Sequence, residues 1–146
     1  MNLLDTNVIS EIMRPRPDVR VVAWIQSLPR IDFWTSSVVV AELLSGIDLM
    51  PPGRRQKGLR EAFEAMLTED FHGQILSFDL AAARHFGHIL SARQRLGRPI
   101  NEMDAQIAAT ARVHGAAVAT RNIKDFLACE IALINPWSDN PTELQL

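Results

Sequence analysis

Three acidic residues occupy positions at which a fold can assemble a cation site. Asp5 follows a short apolar run at the N-terminus. Glu42 lies inside the apolar run 38–44, and Asp104 lies in the similar run 103–107. A carboxylate buried without a partner costs several kcal/mol, so Glu42 and Asp104 each need a nearby cation or a bound proton. A divalent metal ion supplies the first of these, which makes the three acids candidate metal ligands.

A fourth acid, Asp125, follows the apolar segment 116–120. Carboxylate oxygens suit a hard cation such as Mg²⁺ or Mn²⁺, and such an ion can polarise a phosphate and activate a water molecule. Metal-assisted phosphodiester hydrolysis is the reaction that such a site serves most directly. The alternative for each aspartate taken alone is a helix cap, because aspartate at a strand-to-helix turn also stabilises the helix.

Histidine and cysteine do not offer a competing site. The four histidines lack the spacing of a metalloprotease or zinc-finger motif and are expected at surface or partly buried positions: His72, His85, His88 and His114. The single cysteine, Cys129, cannot form an intrachain disulfide. Oxygen ligands are therefore the ones that this chain can offer a metal.

Short apolar runs alternate with helical periodicity, which predicts an α/β fold. Strands are predicted at 3–4, 31–35, 74–78, 116–120 and 131–134, and helices at 8–13, 19–28, 38–49, 54–69, 80–96 and 102–114. Asp79 and Asn101 are expected to cap the last two helices, and Gly115 to end the last one. The four acids lie beyond strand ends or in the first turns of helices. In a parallel α/β sheet this is the edge where functional groups meet, so only the fold can bring such distant residues together.

Bulk properties predict one soluble domain over residues 1–146, with a polar tail from about residue 138. The N-terminus lacks the pattern of a signal peptide, and no apolar run reaches the length needed to cross a membrane. We therefore expect a cytoplasmic protein without a membrane partner. The net charge of −2 argues mildly against a nucleic-acid partner, because proteins that bind nucleic acid by bulk electrostatics are usually basic.

Several segments together resemble a PIN domain, of the kind found in VapC/FitB-like toxins of bacterial toxin–antitoxin pairs. They are residues 4–11 (LDTNVISE), 37–43 (SVVVAEL), 104–109 (DAQIAA), 119–126 (ATRNIKDF) and 134–137 (INPW), in the order in which the family has them. Each short motif is weakly specific by itself. Their common order over nearly the whole chain makes the resemblance specific.

The resemblance implies an α/β/α sandwich of three layers, with a central parallel sheet of about five strands. It also implies a Mg²⁺- or Mn²⁺-dependent endoribonuclease toxin, a homodimer, and a cognate antitoxin that blocks the site and binds operator DNA. The toxin itself would then meet operator DNA only through the antitoxin. Asp5, Glu42 and Asp104 match the family's metal-binding acids.

The fourth acid departs from the family pattern. Many PIN domains have an aspartate directly after the Thr-x pair, whereas this chain has Asn122 there and Asp125 three residues later. Asn122 can form a hydrogen bond but brings no negative charge. Asp125 either completes the site or caps the short helix that holds Phe126. The expectation is one firmly held metal, with any second ion held weakly.

Other polar residues beside the acids receive roles from the same resemblance. The hydroxyls of Thr6 and Thr120 are candidates for orienting a metal-bound water, with an ordinary turn role as the alternative. Asn7 is a candidate either for capping a helix, which is favoured, or for supporting the acids. Arg121 and Lys124 are the candidates for contacting an RNA phosphate backbone, because they follow the fourth predicted strand next to the site.

Two other enzyme and signalling classes also place an aspartate after the first strand. A phosphatase of the haloacid dehalogenase type needs a second aspartate where this chain has Asn7, and a receiver domain needs an early acidic pair and a late lysine. Both are disfavoured. The remaining alternative is a PIN-like module of weak or no activity that acts as a binding or regulatory partner in a DNA-bound complex.

Overall fold

A computed structural model describes residues 1–141 and 144–145 of the chain. The strands are β1 (Asn2–Leu4), β2 (Phe33–Ser36), β3 (Ile75–Leu76), β4 (Ala117–Ala119), β5 (Ala132–Ile134) and β6 (Leu144–Gln145). The helices are α1 (Thr6–Ile12), α2 (Val19–Ser27), α3 (Ser37–Asp48), α4 (Arg54–Glu69), α5 (Leu80–Arg95) and α6 (Glu102–His114). None of the described helices is long and apolar enough to cross a membrane.

The strands form one sheet in the order β3-β2-β1-β4-β5-β6. The first five are parallel to their neighbours, and β6 is antiparallel to β5. Consecutive residues of the central strands are buried, such as Leu3 and Leu4 in β1 and all of Ala117–Ala119 in β4. Because successive side chains of a strand point to opposite faces, both faces of the sheet are covered. The predicted three-layer α/β/α architecture is confirmed.

The chain changes direction in the sheet between β1 and β4. From β1 it proceeds outwards to β2 and β3, and it then returns to β4 on the other side of β1 and continues to β5. Leu4 and Ala119, the last residues of the two neighbouring strands, are partners in the register. Such a switch point leaves a crevice at the carboxyl ends of the strands, and Asp5 and Thr120 are the residues that follow there.

The helix starts follow the predicted turn chemistry. Asp79 and Asn101 cap α5 and α6, as predicted, each with a side chain that accepts a hydrogen bond from a backbone N–H of the first turn. Ser36 caps α3 in the same way. Helix α1 begins at Thr6, two residues earlier than predicted, because Asp5 is its N-cap. Gly115 ends α6 at φ 61°, the left-handed conformation that glycine adopts without strain.

Three strand predictions need correction. Residues 30–32 form a 3-10 turn, with Ile31 73% exposed, so β2 begins only at Phe33, where it first pairs with β1. Strand β3 shrinks to Ile75–Leu76, because it pairs on one side only, with β2. The tail expected to be only polar contributes β6, whose antiparallel pairing with β5 was not predicted.

Candidate active site

Asp5 is the buried centre of the site, with 5% of its surface exposed. Its Oδ1 accepts a hydrogen bond of 2.8 Å from the backbone N–H of Thr6, and its Oδ2 accepts one of 2.8 Å from the hydroxyl of Thr120. Burial raises the pKa of Asp5, these hydrogen bonds oppose the rise, and the nearby charges of Glu42 and Asp125 add to it. These hydrogen bonds therefore fix the orientation of the carboxylate, but neither donor is positively charged.

Asn7 links the two strand ends instead of capping a helix. Its Nδ2 lies 3.3 Å from Oδ2 of Asp5 and 3.2 Å from the hydroxyl of Thr120. Its Oδ1 accepts a hydrogen bond of 3.2 Å from the backbone N–H of Arg121. The predicted capping role is wrong, because the cap of α1 is Asp5. Asn7 instead holds the segment after β4 against the segment after β1.

The hydroxyl of Thr120 is fully buried and points away from solvent. It donates to Asp5 and accepts a hydrogen bond of 3.1 Å from the backbone N–H of Asn122. A hydroxyl has one hydrogen to donate, and here that hydrogen is used by the carboxylate. In this structure Thr120 therefore orients Asp5 rather than a water molecule in the crevice.

Glu42 reaches the same crevice from the second turn of α3. The side chain is half-buried, and its Oε2 accepts a short hydrogen bond from the hydroxyl of Thr6, the first residue of α1. The packing of α1 against α3 brings these residues together. Glu42 was expected to need a partner because it lies in an apolar run of the sequence. The hydroxyl of Thr6 is part of that partner.

Asp104 lies in the first turn of α6 and is held by the cap of that helix. Oδ1 of Asn101 accepts from the backbone N–H of Asp104 at 2.8 Å, and Nδ2 of Asn101 donates to the Asp104 carboxylate at 2.7 Å. Burial raises the pKa of Asp104 to about 6, with further contributions from the charges of Asp5, Asp125 and Glu42. The charges of the other three acids therefore act on Asp104.

Asp125 ends the 3-10 turn Ile123–Asp125 that follows β4. The described residues show no side-chain cap for this turn, and Asp125 stands at its last position rather than before its first. The structure thus does not support the capping alternative, and Asp125 faces the crevice with Asn122 beside it. Both candidates for the fourth position are present at the site.

These residues line one open cleft of about 550 Å³. Its lining comprises Asp5, Thr6, Asn7, Ser10, Glu11, Arg14, Glu42, Asn101, Asp104, Arg121, Asn122, Asp125 and Trp137. Of the predicted site residues, Thr120 lies buried behind Asp5, and Lys124 is exposed on the neighbouring turn but does not line the cleft. All the other predicted site residues line the cleft.

The rim adds residues that the sequence did not single out. The guanidinium of Arg121 lies 5.3 Å from the ring centroid of Trp137, which keeps a cation at the mouth of the cleft. Arg14 pairs with Glu11 at 3.2 Å. Glu11 also accepts a hydrogen bond from the backbone N–H of Asp18, and that bond is the largest cause of its lowered pKa. Glu11 and Trp137 fell inside the resembling segments, but nothing local indicated their role.

Across residues 1–141 and 144–145, no group of three or more His, Cys, Asp or Glu side chains is arranged to hold a cation as it stands. The four acids nevertheless line the same cleft, where the charges of the other three add to the raised pKa of Asp104. The two observations are compatible, because electrostatic repulsion acts over longer distances than ligand bonds do. The acids face one another across the cleft without closing it.

An apolar groove of about 770 Å³ adjoins the cleft between α1, α3 and α4. It shares Thr6, Ser10, Arg14 and Glu42 with the cleft, and its other walls include Met13, Leu43, Ile47, Met50 and Leu59. On α4, Phe63 is fully buried in the core. Leu59, on the same helix, remains partly exposed at the groove.

Residues 3–128 match the family described as PIN domain. The chain therefore belongs to the PIN-domain family, as the sequence motifs predicted. It is similar to the toxin FitB of Neisseria gonorrhoeae, with 44% identity over 95% of this chain and 100% of that protein. It is also similar to VapC ribonuclease Y4jK of Sinorhizobium fredii, with 39% identity over 94% of this chain and 98% of that protein.

The fold agrees with a solved relative. The structure of FitAB bound to an IR36 DNA fragment contains a chain with 42% identity, and the two folds superimpose with a TM-score of 0.89 over 96% of this chain and 98% of that one. The similarity in fold therefore extends over nearly the whole chain.

Proposed function

We propose that this chain is a metal-dependent endoribonuclease toxin, acting on RNA in the cytoplasm and neutralised by a cognate antitoxin. The observation that carries the proposal is the cleft in which Asp5, Glu42, Asp104 and Asp125 face one another, with the pKa of Asp104 raised to about 6. The relatives named toxin and VapC ribonuclease support the same activity.

The donor set fits Mg²⁺ or Mn²⁺. The cleft offers carboxylate oxygens from Asp5, Asp104 and Glu42, with Asp125 as a fourth, and hard cations of this kind prefer oxygen ligands. Burial and the like charges of the other acids raise the pKa of Asp104, and a bound cation would relieve the repulsion. When bound, the ion would supply Lewis acidity toward a phosphate and lower the pKa of a water molecule.

The chain's own residues then have distinct tasks. Asp5 is held by Thr120 and by the backbone of Thr6, so its oxygens are oriented before any ligand arrives. Asn101 holds Asp104 in the same way from the start of α6. Preorganised groups cost no reorganisation when charge develops, which suits a cleft that acts on a phosphodiester.

Arg121 is the group we assign to the RNA backbone. It is exposed at the mouth of the cleft, and its guanidinium lies over the ring of Trp137. Lys124 extends the positive surface on the neighbouring turn. Local cations of this kind answer the objection raised by the net charge of −2, because contact with phosphates depends on the charge near the site rather than on the total.

The apolar groove and the relatives together indicate which partners this chain binds. An apolar antitoxin segment lying in the groove between α1, α3 and α4 would extend to Thr6 and Glu42 and cover the edge of the cleft. FitAB has been solved bound to a DNA fragment, and we propose that this chain meets operator DNA only through its antitoxin. We also propose a homodimer, in line with the family resemblance.

The test is cleavage of labelled single-stranded RNA by the purified chain with Mg²⁺, with Mn²⁺ and with a chelator. We expect cleavage that needs the metal and falls at least about 100-fold in Asp5→Asn, because removing a group that stabilises developing charge costs about 10²–10³ in rate. Unchanged cleavage by Asp5→Asn would overturn the assigned site. An absence of divalent-ion binding in calorimetry would favour the regulatory module instead.

A further inference from the structure

Arg93 is a buried cation with no assigned role. It lies in the last turn of α5, and only 4% of its surface is exposed. Among the described residues its guanidinium forms no ion pair with a carboxylate. A buried charge of this kind is costly unless hydrogen bonds compensate it, so its hydrogen-bond partners show what it stabilises.

Those partners are three backbone carbonyls on two different segments. Nε of Arg93 donates to the carbonyl of Arg98 at 2.7 Å. Nη1 donates to the carbonyls of Asp125 at 2.6 Å and Leu127 at 2.9 Å. Nη1 also lies 3.8 Å from the Sγ of Cys129. One side chain therefore binds the loop after α5 and the turn after β4 at the same time.

Both segments carry acids of the cleft. The loop that contains Arg98 leads within three residues to Asn101, which caps α6 and holds the carboxylate of Asp104. The other segment contains Asp125 itself, and the bond to Arg93 is made by its own carbonyl. Arg93 thus holds together the two segments that carry Asp104 and Asp125, and so fixes the separation of these two acids.

We propose that Arg93 is a positioning residue that sets the separation of Asp104 and Asp125 and thereby the affinity of the cleft for a divalent cation. The role rests on the proposed function of the cleft. The guanidinium suits this task because its planar fork donates in several fixed directions at once, whereas a lysine ammonium is a single point charge on a flexible stem.

The test compares Arg93→Met and Arg93→Lys with the wild type, and Arg95→Met is the matched control. Arg95 lies two residues away on the same helix and is exposed, and among the described residues its side chain donates only to the hydroxyl of Ser91, at 3.5 Å. The primary readout is the Mn²⁺ dissociation constant from calorimetry. We expect it to rise about 10–100-fold in Arg93→Met, as for other residues that orient metal ligands, less in Arg93→Lys, and not at all in Arg95→Met.

Two further measurements separate positioning from general stability. In Arg93→Met, amide hydrogen exchange should accelerate in residues 98–101 and 122–127 while the central strands remain protected. In RNA cleavage at subsaturating Mn²⁺, kcat should fall and partly recover at high Mn²⁺, with KM for RNA within about twofold. If Arg93→Met does not fold, Arg93→Lys carries the test, because it keeps the buried charge.

The proposal is wrong if a folded Arg93 variant loses thermal stability but keeps the wild-type Mn²⁺ dissociation constant. It is equally wrong if Arg95→Met weakens Mn²⁺ binding as much. The function and the inference fail separately: a wild-type protein that binds Mn²⁺ but cleaves no RNA would refute the ribonuclease, while weakened Mn²⁺ binding in Arg93→Met would still support the positioning role.

Discussion

Asp104 is the residue whose environment says most about the cleft. Its carboxyl is partly buried, and the nearby carboxylates disfavour its charged form, which raises its pKa from 3.8 to about 6. Because the folded state favours the protonated form, Asp104 costs the metal-free protein stability as pH rises from about 4 to about 6. Above pH 6 that cost is fully present, unless a cation occupies the cleft.

Replacing Asp104 with asparagine should therefore stabilise the metal-free protein while abolishing activity. At pH 7.5 we expect Asp104→Asn to raise the free energy of unfolding by about 1 kcal/mol, a figure reduced for the solvent that screens this half-exposed group. The gain should be smaller at pH 5, where the folded wild type already binds the proton. Urea unfolding at both pH values measures it, and destabilisation at pH 7.5 would contradict the account.

The hydroxyl of Thr120 can be tested separately from its burial. Thr120→Val removes the donor to Asp5 and the acceptor for the backbone of Asn122, and RNA cleavage should fall about 10-fold or more. Thr110→Val is the control, because Thr110 is equally buried but its hydroxyl bonds, within the described part of the chain, only to the carbonyl of Gln106 in its own helix. Thr110→Val should lose stability but keep its activity. Equal activity in the two variants would show that Thr120 is only structural.

At the scale of elements, the cleft is made by helix starts meeting at one sheet edge. Asp5 caps α1 and Asn101 caps α6, and both caps belong to the cleft. Glu42 enters from α3, beside the strand β2 that pairs with β1. The site is thus tied to the ends of the sheet's central strands.

The double task of Asn101 gives a prediction at this scale. Asn101→Ala should cost about 1 kcal/mol through the lost N-cap and should also weaken Mn²⁺ binding and RNA cleavage, because Asp104 loses its partner. Asp79→Ala removes the corresponding cap of α5 outside the cleft. It should cost similar stability with no loss of activity. Parallel thermal unfolding and cleavage assays of the two variants decide the point.

Local signals predicted most elements, because they depend on nearby residues. The caps at Asp79 and Asn101 were predicted from residue type and position, and so was the end of α6 at Gly115. The turn at Ile31 was missed, because an apolar residue there looks like a strand although it is exposed. Strand β6 was missed because its pairing with β5 is a long-range event that the polar tail does not indicate.

The acids of the candidate site could be predicted from the sequence, but the residues that hold those acids in place could not. Asp5 and Asp104 stand out because carboxylates at strand ends or within apolar runs need an explanation. The contact of Asn7 with Thr120 spans 113 positions in the sequence, and only the register of β1 and β4 creates it. Arg93 gave no local signal, because its partners are backbone carbonyls of distant residues.

At the scale of the whole molecule, stability and function are coupled through the cation. The metal-free protein holds like charges around the cleft, and a ligand that binds only the folded state stabilises it by mass action. Protons compete with the cation at Asp104, whose pKa is about 6. Metal binding should therefore protect the fold more strongly above that pH than below it.

Thermal unfolding with Mn²⁺ tests this coupling. At a Mn²⁺ concentration of about ten times the dissociation constant measured at pH 7.5, the fold should gain about 1.4 kcal/mol, which raises Tm by about 4 °C for a chain of this size. At pH 5.5 the same concentration should give a clearly smaller increase. An equal rise in Tm at both pH values would place the binding elsewhere than at Asp104.

The most direct measurement is anomalous diffraction from crystals equilibrated with the Mn²⁺ concentration that supports RNA cleavage. The cleft around Asp5 is predicted to hold the strongest manganese peak, within coordination distance of the carboxylates of Asp5 and Asp104, and the peak should vanish in Asp5→Asn. Strong manganese density away from these carboxylates, with none in the cleft of the active protein, would contradict the account.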